Sequence, residues 1–263
     1  MAGLREGEIM RKVIIALLLI AGVATAQDAS PLLQWVQAGA VAFSPLDVDD
    51  CSLWLDPSDS TKVMLNSGGV TNWVDKSAKK SNFETGSGDN STYPSYGSQK
   101  QNGLNLISFD GNQILLGGGM QFPMTCFFVL KSEATAPYNR FIGKYESTSS
   151  VFVFGSHSAT IALLRTGDIS KYDVPFTWGG SFKIITLVIS TTDTHIYDSG
   201  ALKTNFLHAG TCPINAGLGG RITFATPNPT FIGQSGDVLR YDRILTTTER
   251  QQVETYLKAK WGL

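Results

Sequence analysis

The spacing of its carboxylates determines whether this chain could hydrolyse glycosidic bonds. A retaining glycoside hydrolase holds two of them about 5 Å apart, and alternate positions of one strand supply that separation on a single sheet face. From residue 43 onward the glutamates are Glu84, Glu133, Glu146, Glu249 and Glu254. None of them has a second carboxylate at that spacing on a predicted strand. The sequence therefore predicts that the protein is not an enzyme of the glucanase type.

Nucleophilic and metal-dependent catalysis also lack a matching motif. Segment 233–237 (GQSGD) lacks the glycine spacing of a nucleophile elbow, and it joins two predicted strands where that motif joins a strand to a helix. The histidines, His157, His195 and His208, are widely spaced and form no helical pair of metal ligands. We therefore predict no catalytic residues.

Two clusters of aspartates are candidate ligands for calcium. Asp47, Asp49 and Asp50 form the first cluster, and Asp56 with Asp59 forms the second. Calcium takes roughly six to eight oxygen ligands, of which such clusters supply a few. The alternative is that the second cluster is a turn in which aspartates accept hydrogen bonds from backbone N–H groups. The sequence leaves both interpretations open, so calcium is an optional cofactor and not a required one.

Aromatic and polar side chains near loops are candidates for sugar binding. Flat rings stack on the apolar faces of sugars, while amide, carboxylate and guanidinium groups bind the hydroxyls. The candidate ligand-binding residues, chosen because their sequence neighbours are polar, are Tyr93, Tyr96, Asn139, Arg140, Tyr145 and Trp178. By contrast, Trp54, Trp73, Phe109 and Trp261 lie among apolar residues and are predicted to belong to the core.

The elements that must position these residues are predicted to be short strands. Brief apolar or alternating runs are separated by turn residues, which is the pattern of a β-sandwich or barrel. One run, at 182–190, is almost continuously apolar, as in a strand covered on both faces. Long polar stretches at 76–101 and 210–220 are predicted to be loops, which at this length tend to be functional or mobile. The predicted strands are 51–55, 70–74, 104–109, 125–131, 140–143, 150–155, 161–164, 182–190, 194–197, 219–223, 230–232 and 238–241.

A single helix is predicted at the end of the chain. Thr246 and Glu249 have the spacing of a capping box, in which each side chain hydrogen-bonds the backbone of the other residue. The apolar residues that follow recur at helical spacing. They are Val253, Tyr256, Leu257 and Trp261. We predict that Trp261 anchors this helix on the sandwich.

Several of these segments resemble the LamG-like, concanavalin A-like jelly rolls of bacterial surface proteins and phage structural proteins. The resemblance lies in 53–59 (LWLDPSD), 70–77 (VTNWVDKS), 106–111 (LISFDG), 182–202 and 231–263. At 197–200 this chain has YDSG where a YVDG turn is more usual in the family. The resemblance implies an all-β fold, an antiparallel β-sandwich of jelly-roll type with one C-terminal α-helix.

The resemblance also suggests two functions. The first is a non-catalytic surface recognition or adhesion module that binds glycan or surface polysaccharide. The second is a phage virion structural protein, such as a fibre, spike or capsid-decoration subunit, that acts mainly through contacts with other subunits. A glycoside hydrolase is the remaining alternative, and the missing carboxylate pair argues against it.

Charge and cysteine content narrow the partners further. The net charge is −1 and only 16% of the residues are charged, so no basic surface for nucleic acid is predicted. The three cysteines are Cys51, Cys126 and Cys212, and no two of them have the spacing of a zinc site. In an exported protein two of them could pair; the alternative is that none is bridged.

The N-terminal residues resemble a secretion signal. A basic pair at 11–12 precedes an apolar run at 13–23, and 24–26 (ATA) has the small residues of a cleavage site. The run is too short for a stable transmembrane span. We therefore predict secretion or display at the cell surface, the alternative being an uncleaved helix docked within a virion. The predicted organisation is a signal peptide or apolar segment at 1–26, a linker at 27–42 and a jelly-roll domain at 43–263.

Overall fold

The computed structural model describes residues 43–85, 93–119, 121–133, 139–147, 150–158, 161–166, 171–178, 180–207, 216–223 and 226–263. Residues Ser44–Leu263 form one compact unit. The predicted signal segment and linker lie outside the described residues, as do Cys212 and His208. Among the described helices, none is long and apolar enough to cross a bilayer.

The described residues form strands, one α-helix and two short 3-10 helices, one at Pro45–Asp47 before β1 and one at Ser60–Lys62 between β1 and β2. The elements are β1 Cys51–Leu55, β2 Val63–Asn66, β3 Gly69–Trp73, β4 Phe83–Thr85, β5 Ser95–Gln101, β6 Leu104–Asp110, β7 Leu115–Gly117, β8 Met124–Ser132, β9 Asn139–Ser147, β10 Ser150–Ser158, β11 Ile161–Thr166, β12 Lys171–Pro175, β13 Lys183–Ile189, β14 Asp193–Asp198, β15 Ala201–Leu207, β16 Ala216–Leu218, β17 Gly220–Thr223, β18 Thr226–Pro229, β19 Ile232–Tyr241 and α1 Thr247–Trp261.

The strands form two layers of mainly antiparallel sheet. One layer runs β5, β6, β19, β8, β13, β14, β15, with β1 paired to the second half of β19. The other runs β2, β3, β4, β7, β16, β9, β10, β11, β12, and β17 pairs with β9 in parallel. We call the first layer the helix-side sheet, because α1 packs on its outer face. The predicted antiparallel sandwich with a C-terminal helix is confirmed.

Aromatic rings fill the space between the two layers. Phe128 of the helix-side sheet stacks on Phe154 of the other sheet, with ring centres 5.8 Å apart and planes inclined by 13°. Phe141 meets Phe128 edge to face at 5.6 Å. Trp73 and Phe109 are buried, as predicted. The core therefore consists of residues from both sheets, as in any sandwich whose strands alternate inward and outward.

The central strands of the helix-side sheet, β19, β8 and β13, are buried on both faces. In β13 the neighbouring residues Ile184 and Ile185 are both fully buried, although successive side chains of a strand point to opposite faces. One face packs on the core and the other lies under α1. The prediction that the apolar run at 182–190 is covered on both sides is confirmed.

The helix begins where its capping box predicts. Thr246 Oγ1 accepts a hydrogen bond from the Glu249 backbone N–H at 3.3 Å, and the Glu249 carboxylate accepts one from the Thr246 backbone N–H at 2.8 Å. Arg243 Nη2 lies 2.7 Å from the same carboxylate and holds the pKa of Glu249 at about 2, below the ordinary 4.5. Because the folded pKa is lowered, this stabilisation is complete above pH 4.5 and is lost as the pH falls towards 2.

Removing the cap hydroxyl tests how much this motif stabilises the fold. We expect Thr246→Ala to reduce the free energy of unfolding by about 1 kcal/mol, because the Glu249 N–H loses its acceptor. Urea denaturation at neutral pH measures the change. The neighbouring Thr247→Ala is the control, since Thr247 is exposed and lies after the cap. Equal effects of the two variants would contradict the assigned cap.

The inner face of the helix is fixed to the helix-side sheet by buried polar contacts as well as apolar ones. Val253, Leu257 and Trp261 are fully buried, which confirms the predicted stripe. Glu254 accepts a hydrogen bond from Thr186 of β13 at 2.8 Å and pairs with Arg250 at 2.7 Å. The Arg250 guanidinium in turn lies over the Tyr197 ring of β14.

The end of the helix covers a buried aspartate. Asp237 of β19 is fully buried, and both of its carboxylate oxygens accept hydrogen bonds from indole N–H groups. Trp54 Nε1 donates to Oδ1 and Trp261 Nε1 donates to Oδ2, each at 2.7 Å. Lys260 Nζ lies 2.8 Å from Oδ2. Trp261 is thus anchored by hydrogen bonding in addition to packing.

A second aspartate shares the same lysine. Asp56, which follows β1, has its Oδ1 2.7 Å from Lys260 Nζ and its Oδ2 2.9 Å from Lys76 Nζ. The Lys76 ammonium also lies 4.2 Å from the centre of the Trp54 ring. We call Asp56, Lys76, Asp237 and Lys260 the Asp237 cluster. Its members come from segment 53–59, segment 70–77, β19 and the end of α1. Two of them are acidic and two are basic.

Two predicted strands form one continuous strand in the structure. Residues 230–232 and 238–241 were expected to be two strands, whereas β19 runs unbroken from Ile232 to Tyr241 with a bulge between Ser235 and Val238. Glycine permits this course, because a Cβ on Gly236 would lie 2.9 Å from the Trp261 ring. The GQSGD segment is therefore a bulged strand that makes room for the helix anchor.

Candidate functional site

A polar groove opens on the outer face of the helix-side sheet, beside the C-terminal end of α1. Its volume is about 270 Å³. Small-ligand sites occupy roughly 300–1,000 Å³, so this groove fits one compact chemical unit better than an extended chain. The residues that line it are Gln99, Lys100, Gln101, Leu106, Lys131, Gly180, Ser181, Phe182, Gln234 and Leu263.

Strand register positions the floor of the groove. Gln234 of β19 lies between Ser108 of β6 and Lys131 of β8 in the sheet, so these three side chains share one face. Leu106, two residues before Ser108, points to the same face and is fully buried. The floor therefore combines an amide, an ammonium and an apolar side chain.

Contacts with the helix end fix one wall of the groove. In the β5–β6 hairpin, Gln101 Nε2 donates to the Trp261 carbonyl at 2.9 Å, and Asn102 Nδ2 donates to the Lys260 carbonyl at 3.0 Å. These bonds satisfy carbonyls that a helix end leaves unpaired. Gly262, with φ of 66°, ends the helix in the left-handed conformation that favours glycine. The helix, the hairpin and the groove are therefore positioned together.

Two lysines, Lys100 and Lys131, line the groove, and none of the described side chains that line it is acidic. Lys131 Nζ lies 3.0 Å from Glu133, and this hydrogen bond holds the pKa of Glu133 below its ordinary value. The half-buried Phe182, which precedes β13, contributes a ring. The site thus offers amide, ammonium and aromatic groups to a ligand.

The sugar-binding residues expected from the sequence lie elsewhere. Tyr96 is half-buried, and its hydroxyl donates to the Pro57 carbonyl at 3.0 Å. Tyr93 is half-buried against Gly69. Asn139 is buried and hydrogen-bonds the Ile232 backbone through both its oxygen and its nitrogen. These side chains hold strands together and do not line the groove.

Trp178 and Arg140 also do not line the groove. Trp178 is 3% exposed and packs in the core against Phe176, with ring centres 4.6 Å apart. A buried ring has no open face for a sugar, so the prediction that Trp178 lies near a loop surface is corrected. Arg140 is half-buried in β9, where its backbone N–H donates to Thr230. Tyr145 lies in β9 with its side chain outside the described residues.

The aspartates of the calcium hypothesis are engaged by protein groups. Asp47 accepts a hydrogen bond from the Ser44 backbone N–H at 2.7 Å. Asp50 lies 3.5 Å from Arg243. Asp59 accepts one from the Thr61 backbone N–H at 3.1 Å. Asp56 accepts one from the Ser58 backbone N–H at 3.0 Å in addition to its lysine contacts, while Asp49 lies in the turn before β1.

This arrangement favours the turn interpretation of the second acidic cluster. Within the described ranges, no three His, Cys, Asp or Glu side chains are grouped as metal ligands would be. Lysine ammonium groups stand next to Asp56 and Asp59, where a cation would otherwise bind. Calcium binding by these residues stays a hypothesis.

Cysteine chemistry is not indicated by the described thiols. Cys51 and Cys126 are both free, and burial raises the pKa of each thiol to about 12. Because the thiolate is the reactive form, such thiols are inert at neutral pH.

Comparison with known proteins identifies structures of similar fold but no family to which the sequence belongs. No family model matches the sequence, and no curated protein matches it. Among solved structures, the binding domain of botulinum neurotoxin serotype G is similar with a TM-score of 0.56 at 14% identity, covering 81% of this chain and 54% of that one. This chain thus spans about half the length of that domain.

Two further structures were determined with sugars. Domain 4 of AbnA, a GH43 extracellular arabinanase from Geobacillus stearothermophilus, was solved with arabinotriose and matches with a TM-score of 0.56 at 11% identity. The match covers 76% of this chain and 96% of that one. The ligand-binding domain of botulinum neurotoxin serotype D, solved with N-acetylneuraminic acid, has a TM-score of 0.56 at 11% identity, covering 81% and 52%. The chain is therefore similar in fold to binding domains of larger proteins.

Proposed function

We propose that this protein is a non-catalytic recognition module that binds a glycan at the groove beside α1. The observation that carries the proposal is the composition of the groove, in which Gln234, Lys131 and Phe182 surround one cavity of about 270 Å³. Similarity in fold to domains solved with arabinotriose and with N-acetylneuraminic acid supports the same class of ligand. Binding at the surface of a cell or particle follows from the predicted secretion signal.

The groove provides the contacts that a sugar requires. Glutamine amides both donate and accept hydrogen bonds, as sugar hydroxyls do, so the exposed Gln99 can bind two neighbouring hydroxyls. Gln234 is 6% exposed and hydrogen-bonds Glu133, so it forms part of the floor. The Phe182 ring offers an apolar face for the C–H groups of a pyranose. Lys131 adds a charge-assisted donor. The volume limits recognition to a terminal or branching unit.

A glycan array followed by titration of paired variants tests this proposal. We expect the protein to bind a subset of glycans without releasing sugar, and Lys131→Met and Phe182→Ala to weaken binding at least about tenfold each. Lys203→Met is the matched control, because Lys203 is an exposed lysine on β15, away from the groove. Repeating the titration with calcium and with a chelator tests the calcium hypothesis.

Two outcomes would overturn the proposal. Binding that survives both groove variants places the ligand elsewhere on the molecule. The absence of binding across a broad array would favour the alternative function, in which the sandwich is a structural subunit of a virion or surface assembly.

A further inference from the structure

The Asp237 cluster has the geometry of a reactive site. Lys260 Nζ lies between two carboxylates, 2.8 Å from Asp237 Oδ2 and 2.7 Å from Asp56 Oδ1. The Asp237 side chain is fully enclosed, and the Asp56 and Lys260 side chains are 5% and 12% exposed. An amine held at hydrogen-bond distance from a carboxyl group, with a second carboxylate beside it and water excluded, is arranged for amide formation.

We infer that Lys260 and Asp237 form an isopeptide bond, an amide between Lys260 Nζ and Asp237 Cγ that links α1 covalently to β19. The inference is independent of the proposed glycan binding. It assigns Asp237 as the electrophile, Lys260 as the nucleophile and Asp56 as the group that carries a proton between them.

The two carboxylates are suited to different roles. Burial raises the pKa of Asp237, which favours the protonated acid that an amine can attack. Burial acts on Asp56 in the same direction, but Lys260 and the hydrogen bonds from Ser58 and Lys76 outweigh it and lower the pKa of Asp56, so this group stays ionised as a base. A pair of neighbouring acids whose pKa values are shifted apart is the usual arrangement for an acid and a base.

Indole N–H groups complete the site. Trp54 Nε1 and Trp261 Nε1 donate to the two oxygens of Asp237, each at 2.7 Å. When the amine adds to Cγ, negative charge develops on an oxygen that already faces such a donor. Fixed donors of this kind stabilise a tetrahedral intermediate more than the starting acid.

The reaction balances without another reactant. Transfer of one proton from the Lys260 ammonium to the Asp237 carboxylate first gives a neutral amine and a protonated acid. Of the two protons left on the amine, one stays on the amide nitrogen. Asp56 accepts the other and passes it to the departing Asp237 oxygen, which already holds the transferred proton and leaves as water, and Asp56 ends as the carboxylate it was. The C–O bond of Asp237 breaks as the C–N bond forms.

Amide formation also reduces the number of buried charges. It removes Asp237 and Lys260 as ions, and Asp56 stays paired with Lys76 at 2.9 Å. The cluster therefore keeps equal numbers of positive and negative charges while half of them disappear. Because burying an ion costs free energy of hydration, this change favours the product.

Peptide mapping of the full chain by tandem mass spectrometry tests the inference. We expect the peptide that contains Asp237 to be joined to the peptide that contains Lys260, with a combined mass lower by one water. Lys260→Arg keeps the charge and should give no joined peptide, whereas Lys258→Arg should give it as in the unmodified chain. Asp56→Asn should slow formation about a hundredfold or more, because it cannot carry the proton.

If a variant fails to fold, the peptide map of the wild-type chain is sufficient to test the inference. Recovery of the Asp237 and Lys260 peptides separately and at full mass, after long incubation of the folded protein, would overturn the inference. A joined peptide that involves Asp56 in place of Asp237 would overturn the assignment of roles.

Discussion

Replacing Trp261 with alanine is expected to lower the free energy of unfolding by about 3–5 kcal/mol, the largest effect of any single truncation in α1. The side chain is fully buried, so the variant leaves a cavity between the helix and the helix-side sheet. It also removes the 2.7 Å hydrogen bond to Asp237. Urea denaturation and thermal melting both measure the loss.

A second variant separates packing from hydrogen bonding. Trp261→Phe keeps most of the ring but has no N–H for Asp237, so we expect an intermediate loss. Leu263→Ala, two residues later and 38% exposed, is the control and should change stability by about 0.5 kcal/mol or less. An unchanged melting temperature in Trp261→Ala would refute the anchoring role.

The helix could be predicted almost completely from the sequence, because its signals are local. Thr246 and Glu249 are three residues apart, and the stripe that ends at Trp261 follows helical periodicity. What the sequence could not reveal is the partner of that stripe. Trp261 contacts Asp237 and Lys260 meets Asp56, and these pairings depend on how distant strands come together.

Strands were predictable where they cross the apolar core. β1 has the predicted bounds, and β8 and β13 each differ from the prediction by one residue at both ends. β5, by contrast, lies within the polar stretch predicted as a loop, because its residues are mostly half-buried or exposed. β15 was missed for the same reason. Strands at an edge lack the apolar pattern by which strands are recognised.

The groove was missed because no local motif marks it. Gln99, Lys131, Phe182 and Gln234 are far apart in the sequence and become neighbours only through pairings in the helix-side sheet. The pattern of an aromatic residue among polar neighbours instead predicts Trp178 as a binding residue, whereas its ring packs in the core. Polar neighbours in the sequence therefore do not predict that a side chain is exposed, as Trp178, which follows β12, shows.

The segments on which the family resemblance is based contain residues that stabilise the fold. Asp56 and Lys76 belong to segments quoted for the family resemblance, and both enter the Asp237 cluster. Asp75, beside Lys76, is fully buried and accepts hydrogen bonds from the backbone N–H groups of Trp54, Ser77 and Ser81. A resemblance based on these residues therefore predicts architecture well and ligand poorly.

The second large effect is expected on removing the positive charge from the Asp237 cluster. Lys260→Met keeps an apolar stem but leaves Asp237 and Asp56 without their shared ammonium. Breaking a buried ion pair from one side costs about 3–5 kcal/mol, because the remaining charge stays buried. Urea denaturation at neutral pH measures it.

The pH dependence identifies the cause of that loss. Burial already raises the pKa of Asp237 above the ordinary 3.8, and Lys260 opposes this shift, so the pKa of Asp237 rises further in Lys260→Met. A raised folded pKa means that the folded state binds the proton more tightly, so stability falls as the pH rises from 3.8 through the folded value. Lys260→Met should therefore recover stability on acidification relative to Lys258→Met, whose lysine lies outside the cluster. A loss that is the same at every pH would mean that packing of the lysine stem, and not the buried carboxylate, accounts for the effect.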